Sequence, residues 1–297
     1  MGGTSLVPSL ICETLNITQR ATAHFGKPKK GFIAMAQATV ADDGGGHALL
    51  RTLGVLGALS DQERGVLGDM IVRRAPVDSD IDLVSEGEEE SFVHVIESGW
   101  CARYKLLPDG RKQILNFLVP GDFAGLRAAL FGIDNHSIAT LTDCPVGVIP
   151  VGGILDLYAH YPRLAAALTW TAAREEAMLA DHVVRLGRRT AYERVAHLLV
   201  ELLYRLQRVG KADENSYRLP VSQETLGDML GLSVVHVNRT LRRLRKEGLI
   251  SMETRAIVLK DVAELEDLGD FFSEHLSGLS PPVRILDQIP TKIEAGG

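Results

Sequence analysis

The sequence predicts a fold of the α+β class, with an N-terminal β-roll, a long connecting helix and a C-terminal pair of short helices followed by a small hairpin. Residues 77–151 alternate apolar and polar side chains in short runs separated by turn residues, which is typical of a roll of short strands. After Pro162, apolar residues recur at helical spacing over about 45 positions. Residues 221–250 then contain two helix starts with a glycine between them.

The composition limits what kind of protein this is. The chain has 297 residues and a formal net charge of −6, a length that suits about two domains. It contains no run of about 18 uninterrupted apolar residues, so no membrane helix is predicted. Its three cysteines, Cys12, Cys101 and Cys144, lie far apart, which favours a reducing cytoplasm and argues against a disulfide scaffold or a thiolate-bound metal centre. No cofactor is predicted.

Charge is distributed unevenly along the chain. Residues 61–97 contain 11 Asp or Glu and 3 Arg, a net charge of −8. Residues 188–260 contain 14 Lys or Arg and 8 Asp or Glu, a net charge of +6. This asymmetry indicates a polyanionic partner for the basic part, although two ordinary solvated surfaces would give the same pattern.

The first ordered region is predicted to be the roll. A flexible tail is expected at residues 1–47, where no periodicity is sustained, and the roll at residues 48–158. Ser60 and Glu63 have the spacing of a capping box, so a helix is expected to begin at Asp61.

Several short strands are predicted within the roll. Residues 107–110 read Leu-Pro-Asp-Gly, a turn that joins two of these strands into a hairpin. The Ala- and Leu-rich segment 123–132 predicts a short helix embedded in the roll. Cys101 and Cys144 fall on predicted strands and are expected to be core side chains. The clearest strands are Phe92–Ile96, Cys101–Leu106 and Ile114–Leu118.

A connecting helix is predicted at residues 159–187, with a break at Gly187 before a domain at residues 188–272 and a second flexible tail at residues 273–297. An apolar stripe on a helix between two domains often packs against its twin in a homodimer. The alternative is that the stripe packs against its own roll. The predicted stripe of this helix is Leu164, Leu168, Ala172, Glu175 and Leu179, and that of the next helix is Ala191, Val195, Leu198, Leu199, Leu202 and Leu206.

Residues 221–250 have the pattern of two short helices with a tight turn. Ser222 and Ser233 stand at N-cap positions, and Gly231 supplies the left-handed residue that ends the first helix. The second helix, residues 234–247, leaves a basic face opposite its apolar one. Segments 249–252 and 255–259 predict a small hairpin, which completes a winged helix-turn-helix. The residues expected to be buried are Leu226, Met229 and Leu230 in the first helix and Val237, Leu241 and Leu244 in the second.

The outward face of the second helix carries residue types that read DNA. A major groove about 12 Å wide admits one such helix. Asn238 suits adenine, Arg239 suits guanine and Val235 suits a thymine methyl group, and His236 completes the predicted base-reading set. Double-stranded DNA is therefore the predicted partner. The predicted phosphate contacts are Ser222, Ser233, Arg242 and Arg243.

The order of roll, long helix and winged helix-turn-helix, together with residues 221–250, resembles the bacterial Crp/Fnr family of transcription regulators over roughly residues 50–272. Four further segments share in the resemblance: 99–105, 108–111, 120–123 and 186–194. The resemblance implies a cyclic-nucleotide-binding-like sensor domain, a homodimer on a pseudo-palindromic operator, and contacts to RNA polymerase. Val235 stands where the family commonly has Glu, so a different half-site preference is expected.

The predicted sensor segment, residues 123–137, departs from the pattern of the family members that bind cyclic nucleotides. Those members carry a Gly-Glu pair for the ribose and an Arg-Ser pair for the phosphate, and a buried phosphate needs such a cationic partner. Here Leu126 follows Gly125, and the arginine position holds Asp134 or His136. Cyclic AMP is therefore not the expected effector. The predicted effector pocket is a degenerate one, formed by Phe123, Gly125, Leu126, Arg127, Asp134, His136 and Ser137.

Other classes of function fit the sequence less well. It has no Gly-x-Ser-x-Gly, no Walker loop and no His-Glu-x-x-His, so an enzyme is not predicted. A haem ligated by His94 or His136 is an alternative that rests on a single histidine, a residue type that is more often structural. Two further alternatives stay open: a cyclic-nucleotide-responsive regulator, and a ligand-sensing regulatory subunit that does not bind DNA. Salt dependence of DNA binding separates the latter from a DNA-binding regulator.

Overall fold

The computed structural model describes residues 46–53, 59–253, 256–271 and 289–290. Most of the two predicted tails, and Cys12 with them, lies outside these ranges. The described part has the predicted order of a roll, a long helix and a winged helix-turn-helix.

The described part of the roll contains two four-stranded antiparallel sheets, preceded by helices α1 (Gly46–Leu53) and α2 (Asp61–Met70). The strands are β1 (Arg73–Ala75), β2 (Asp82–Val84), β3 (Phe92–Ile96), β4 (Cys101–Leu106), β5 (Lys112–Leu118), β6 (Phe123–Ala124), β7 (Ser137–Thr140) and β8 (Val146–Pro150). One sheet has the order β1-β8-β3-β6 and the other β2-β7-β4-β5. The predicted embedded helix is α3 (Leu126–Phe131), which directly follows β6 and Gly125.

Local predictions in the roll are confirmed. The strands β3 and β4 have the predicted bounds, and β5 begins two residues earlier than predicted. Gly110 in the hairpin turn has a φ of 85°, which glycine adopts without strain. The Ser60 hydroxyl accepts a hydrogen bond from the Glu63 N–H at 3.2 Å, so the capping box is present. Cys101 and Cys144 are fully buried, with their Sγ atoms 3.6 Å apart.

The connection between the domains differs from the prediction. Residues Val151–His160 form a separate helix, α4, and the long helix α5 runs from Pro162 to Arg188. The predicted break at Gly187 is wrong, because the helix continues through it and the extended residue is Arg189, with φ −96° and ψ 147°. The chain breaks there because Thr190 caps the next helix, and the Arg189 carbonyl accepts a hydrogen bond from Arg194 Nε at 2.8 Å.

The apolar residues of α5 divide between two surroundings. Leu164 and Leu168 are buried in the core of the roll, whereas Leu179 of the same predicted stripe is 47% exposed. Val183 and Val184, one turn further along, are 64% and 47% exposed. The first half of α5 therefore packs on its own roll, and the second half presents an apolar face.

The C-terminal domain contains helices α6 (Ala191–Arg208), α7 (Gln223–Leu230), α8 (Val234–Lys246) and α9 (Val262–Gly269). Its sheet has the order β10-β11-β9, formed by β9 (Ser216–Arg218), β10 (Ile250–Glu253) and β11 (Ala256–Leu259). The predicted hairpin is confirmed as β10 and β11, with residues 254–255 at its turn outside the described ranges. The sequence analysis missed β9, which is too short to show alternation, and α9.

One apolar core joins the roll to the C-terminal domain. Leu198, Leu202 and Leu206 of the predicted α6 stripe are at most 2% exposed. They belong to the same buried cluster as Trp100 and Phe117 of the roll. The two domains therefore pack together directly, in addition to being connected by α5.

Candidate nucleic-acid interface and sensor segment

The two-helix motif has the predicted caps. The Ser222 hydroxyl accepts a hydrogen bond from the Thr225 N–H at 3.0 Å at the start of α7. The Ser233 hydroxyl accepts one from the His236 N–H at 3.3 Å at the start of α8. Gly231 ends α7 with a φ of 62°. Both serines are exposed and therefore accessible to a phosphate. The residues predicted to contact phosphates thus also cap the two helices.

A second glycine, which the sequence analysis did not single out, sets how closely the turn packs on α7. A Cβ atom on Gly227 would lie 2.5 Å from the carbonyl oxygen of Leu232. The Gly227 carbonyl in turn accepts a hydrogen bond from the Leu232 N–H at 3.0 Å. Behind this turn, the residues predicted to be buried in α8 are at most 1% exposed: Val237, Leu241 and Leu244.

The outward side of α8 carries the residues predicted to read bases. Val235 is 67% exposed, and His236 and Arg239 are exposed as well. Asn238 is half-buried, and its Nδ2 donates a hydrogen bond to Gln223 Oε1 at 2.9 Å. The structure thus brings the four residues together on the first two turns of α8, and it adds Gln223 of α7, which the sequence analysis missed.

The two arginines predicted to contact phosphates have different surroundings. Arg243 donates through Nε to Glu247 Oε1 at 2.8 Å, and its guanidinium lies 3.9 Å from the ring centroid of Tyr192. The Tyr192 hydroxyl also donates to Glu247, and partial burial together with this carboxylate raises the pKa of Tyr192 to about 12. Arg242 is exposed, and it makes no hydrogen bond or ion pair within the described residues.

Part of the predicted effector pocket is core. Phe123 is 2% exposed and packs with the apolar interior of the roll, and Leu126 packs against the same cluster. Gly125 begins α3 with a φ of 83°, and a Cβ atom there would lie 3.2 Å from the Phe92 carbonyl oxygen. Ser137 Oγ accepts a hydrogen bond from a backbone N–H at 3.0 Å. These four residues therefore shape the segment without forming a polar pocket.

The remaining predicted pocket residues form a charged group. Asp134 Oδ1 lies 3.5 Å from His136 Nδ1 and 3.8 Å from Arg127 Nε. Both Asp134 oxygens and His136 Nε2 are buried without a hydrogen-bond partner among the described residues. Burial raises the pKa of Asp134. Burial, with Arg103 and Arg127, lowers the pKa of His136 to about 3. The group therefore holds a buried acid and a neutral imidazole.

Arg103 was not among the predicted pocket residues, although its charge acts on both Asp134 and His136. Its guanidinium donates to Glu175 Oε2 of α5 at 3.1 Å. The charge of Arg103 is therefore already balanced by Glu175 of the connecting helix, although it also acts on the sensor segment.

A buried ionic network also joins the roll, α5 and α6. Arg205 of α6 donates to Asp122 Oδ2 at 2.8 Å and to Glu201 Oε1 at 3.2 Å. Arg185 donates to Glu201 Oε2 at 2.7 Å, and Arg174 donates to Asp122 Oδ1 at 3.3 Å. These side chains are at most 6% exposed. Burial alone raises the pKa of Glu201, but the adjacent arginines outweigh it and hold that pKa at about 2.

The two histidines of the haem alternative, His94 and His136, are both buried. His94 is 6% exposed on β3, and burial together with Arg73 lowers its pKa to about 4. Across residues 46–53, 59–253, 256–271 and 289–290, no group of three His, Cys, Asp or Glu side chains is arranged to hold a metal ion. Over those same residues, no helix has the length and apolar character needed to span a membrane.

Comparison with known protein families gives two matches. Residues 79–161 match the cyclic nucleotide-binding domain, and residues 193–268 match the Crp-like helix-turn-helix domain. The first match falls on the roll and the second on the C-terminal domain.

Individual relatives agree with these matches. The chain is 38% identical over 182 residues to the nitrogen fixation regulation protein FixK of Bradyrhizobium diazoefficiens, covering 60% of this chain and 74% of the relative. It is 33% identical over 226 residues to the transcriptional activatory protein AadR of Rhodopseudomonas palustris, covering 75% and 92%. The solved structure of FixK2 from Bradyrhizobium japonicum is similar, with a TM-score of 0.60, 31% identity and coverage of 66% and 96%. With its predicted fold and resemblance confirmed in this way, the chain belongs to the Crp/Fnr family of transcription regulators.

Proposed function

We propose that this regulator binds a pseudo-palindromic DNA site as a homodimer and places α8 of each subunit in a major groove. The observation that carries the proposal is the division of α8 into two sides. Val237, Leu241 and Leu244 are buried, whereas Val235 and Arg239 are exposed on its first two turns. A helix that presents apolar, amide and guanidinium groups in this way matches the chemistry of base edges.

The exposed face of α5 supports the homodimer. Leu179, Val183 and Val184 are each at least 47% exposed on one helix. Exposed apolar residues at this spacing are typical of a helix that packs against its twin. Pairing of two subunits along this face would bury these three side chains. The resulting dimer would carry two α8 helices, one for each half-site.

The roll is proposed to be a sensor whose effector is not cyclic AMP. A cyclic phosphate near Asp134 would face a buried carboxylate that has no hydrogen-bond partner among the described residues. The nearby imidazole of His136 is neutral, Arg103 is paired with Glu175, and the guanidinium of Arg127 already lies 3.8 Å from the Asp134 carboxyl group. Burying a phosphate without a free cationic partner costs more than its contacts contribute.

Calorimetry tests this part of the proposal. Titration of the purified protein with cyclic AMP up to about millimolar concentration is expected to give no heat of binding, because Arg103 and Arg127 already lie beside carboxyl groups that a phosphate would have to displace. A micromolar affinity would favour the cyclic-nucleotide-responsive regulator instead. A fluorescent analogue in a displacement assay gives an independent reading of the same equilibrium.

Further parts of the proposal follow from family membership. The DNA-bound dimer is proposed to contact RNA polymerase. The protein is proposed to act in the cytoplasm, where chromosomal DNA is found in bacteria. No catalytic activity is proposed, and the relatives described above are named as regulators.

Selection of fragments from a random DNA pool by the purified full-length protein tests the main proposal. The expected result is enrichment of a two-fold symmetric site. Because several cations would neutralise phosphates, log K should fall with log salt by about 0.9 for each phosphate contacted. If no DNA is enriched even at low salt and with cell metabolites added, the proposal is wrong and a regulatory subunit that does not bind DNA is favoured.

A further inference from the structure

Gln223, the first residue of α7, contacts the proposed recognition helix through a single side-chain hydrogen bond. Asn238 Nδ2 donates to Gln223 Oε1 at 2.9 Å. Within the described residues it is the one side-chain hydrogen bond that joins α7 to α8. Both side chains are half-buried, while Val235 and Arg239 on either side of Asn238 are exposed. The amide of Asn238, one of the predicted base-reading residues, is thus held by a hydrogen bond within the protein.

The hydrogen bond has a consequence for base reading. An amide reads adenine by accepting from N6 through its oxygen and donating to N7 through one N–H. The Asn238 amide has two N–H groups. If one is donated to Gln223, the other N–H and Oδ1 remain for adenine.

Holding the amide also selects its orientation. A free asparagine amide rotates readily about its terminal torsion, which exchanges the positions of oxygen and nitrogen. The hydrogen bond to Gln223 restricts this rotation, because the two amides can exchange oxygen and nitrogen only if both rotate together. The Asn238 amide is therefore partly ordered before DNA binds, which lowers the cost of ordering the side chain.

We propose that Gln223 is a positioning residue that determines base specificity at the position read by Asn238. This inference rests on the proposed function, in which Asn238 contacts a base. A different role for Gln223 would be a contact to a phosphate from the start of α7. That role would affect binding to all sequences alike, so the two roles predict different measurements.

Binding profiles of full-length variants test the inference. Gln223→Leu keeps the side-chain volume and removes the acceptor, and it is expected to lower the preference for adenine at one position about tenfold. Preferences at the other positions should stay the same. Gln223→Glu keeps an acceptor and should keep the preference, although its negative charge weakens binding to every sequence. Glu224→Ala, on the adjacent exposed residue, is the control and should change no base preference.

A double variant makes the test specific. Asn238→Ala should abolish the preference, and adding Gln223→Leu to it should cause no further change. The inference is overturned if Gln223→Leu weakens all sequences equally, or if the two substitutions have additive effects on the preference. Thermal unfolding midpoints of the variants show whether each is folded.

The outcomes for wild type separate this inference from the proposed function. If wild type selects no DNA, the proposed function itself fails. If wild type selects DNA but Asn238→Ala keeps every base preference, DNA binding through α8 stands, whereas base reading by Asn238 and the role of Gln223 are wrong.

Discussion

At the scale of single residues, Arg239 carries the clearest expectation for specificity. It is exposed on the second turn of α8, next to Asn238. Because a guanidinium can bond guanine O6 and N7 together, Arg239→Ala is expected to cost about 1–3 kcal/mol at one base position and to relax specificity there. Selection profiles of the variant and wild type provide the measurement. Lys246→Ala, at the far end of α8, is the control and should weaken all sequences about equally.

An unchanged selection profile for Arg239→Ala would contradict its role as a base reader. The surroundings of the neighbouring arginines show why exposure alone does not assign such roles. Arg243 is exposed, yet Glu247 and Tyr192 already hold its guanidinium, so a phosphate would have to compete with them. Arg242 has no such neighbour within the described residues, and it is the stronger candidate for a phosphate contact.

At the scale of elements, the turn between α7 and α8 depends on Gly227. A Cβ atom there would lie 2.5 Å from the Leu232 carbonyl oxygen, and backbone on both sides would have to move. Gly227→Ala is therefore expected to destabilise the protein by roughly 1–3 kcal/mol. Gly65→Ala in α2 is the matched control, because nothing apart from adjacent residues and the backbone of its own helix lies within 4 Å of its Cβ position.

The control is expected to change stability in the opposite direction. Replacing a helical glycine by alanine where there is space stabilises by roughly 0.4–1 kcal/mol. Urea unfolding of both variants measures the difference. Equal stability of the two variants would show that the turn adjusts at no cost and that Gly227 has no special role.

The elements also show which boundaries sequence patterns can predict. Ser222, Ser233 and Gly231 were predicted correctly because a cap depends on three or four adjacent residues. The end of α5 was placed wrongly at Gly187, since a helix tolerates an isolated glycine. Thr190 with Glu193 has the same capping-box spacing as Ser60 with Glu63 and is the local signal that marks the start of α6.

At the scale of the whole molecule, the buried ionic network could not be predicted from the sequence. Arg205 and Asp122 are 83 residues apart, and no local pattern pairs them. Asp122 directly precedes β6, and Arg205 lies on the first helix of the C-terminal domain. The network therefore links the sensor segment to the domain that carries α8, with two carboxylates shared among arginines of α5 and α6. Arg103 and Gln223 were missed for a similar reason, because the fold, and no local sequence pattern, brings each of them to the residues that it affects.

The homodimer gives the first prediction at this scale. Val183 is 64% exposed on the second half of α5, so Val183→Glu is expected to place a charge in the proposed interface and to yield monomers. Sedimentation equilibrium measures the mass. DNA affinity should fall as well, because the two half-sites are no longer bound by linked helices. Val72→Glu, on a valine 57% exposed outside α5, is the control. A Val183→Glu variant that stays dimeric would exclude this face as the interface.

The second prediction for the whole molecule concerns how stability depends on pH. Four buried histidines contribute to this dependence. Burial is the main cause in each, and it lowers the pKa of His94, His182 and His197 to about 4 and that of His136 to about 3. The ordinary value is 6.5, so the unfolded chain binds more protons between pH 6.5 and about 4. Asp134 opposes this in part, because burial raises its pKa and the folded protein holds its proton more tightly.

The free energy of unfolding is therefore expected to fall as the pH is lowered from 7 to 5, by about 1–2 kcal/mol for each histidine that stays neutral in the folded protein. Urea unfolding at a series of pH values measures it. His182→Gln should reduce the slope because one titrating group is removed. Glu201, with its pKa of about 2, loses its contribution only below its ordinary value of 4.5, so it does not affect this window. An unchanged slope in His182→Gln would mean that this histidine is protonated in the folded protein despite its burial.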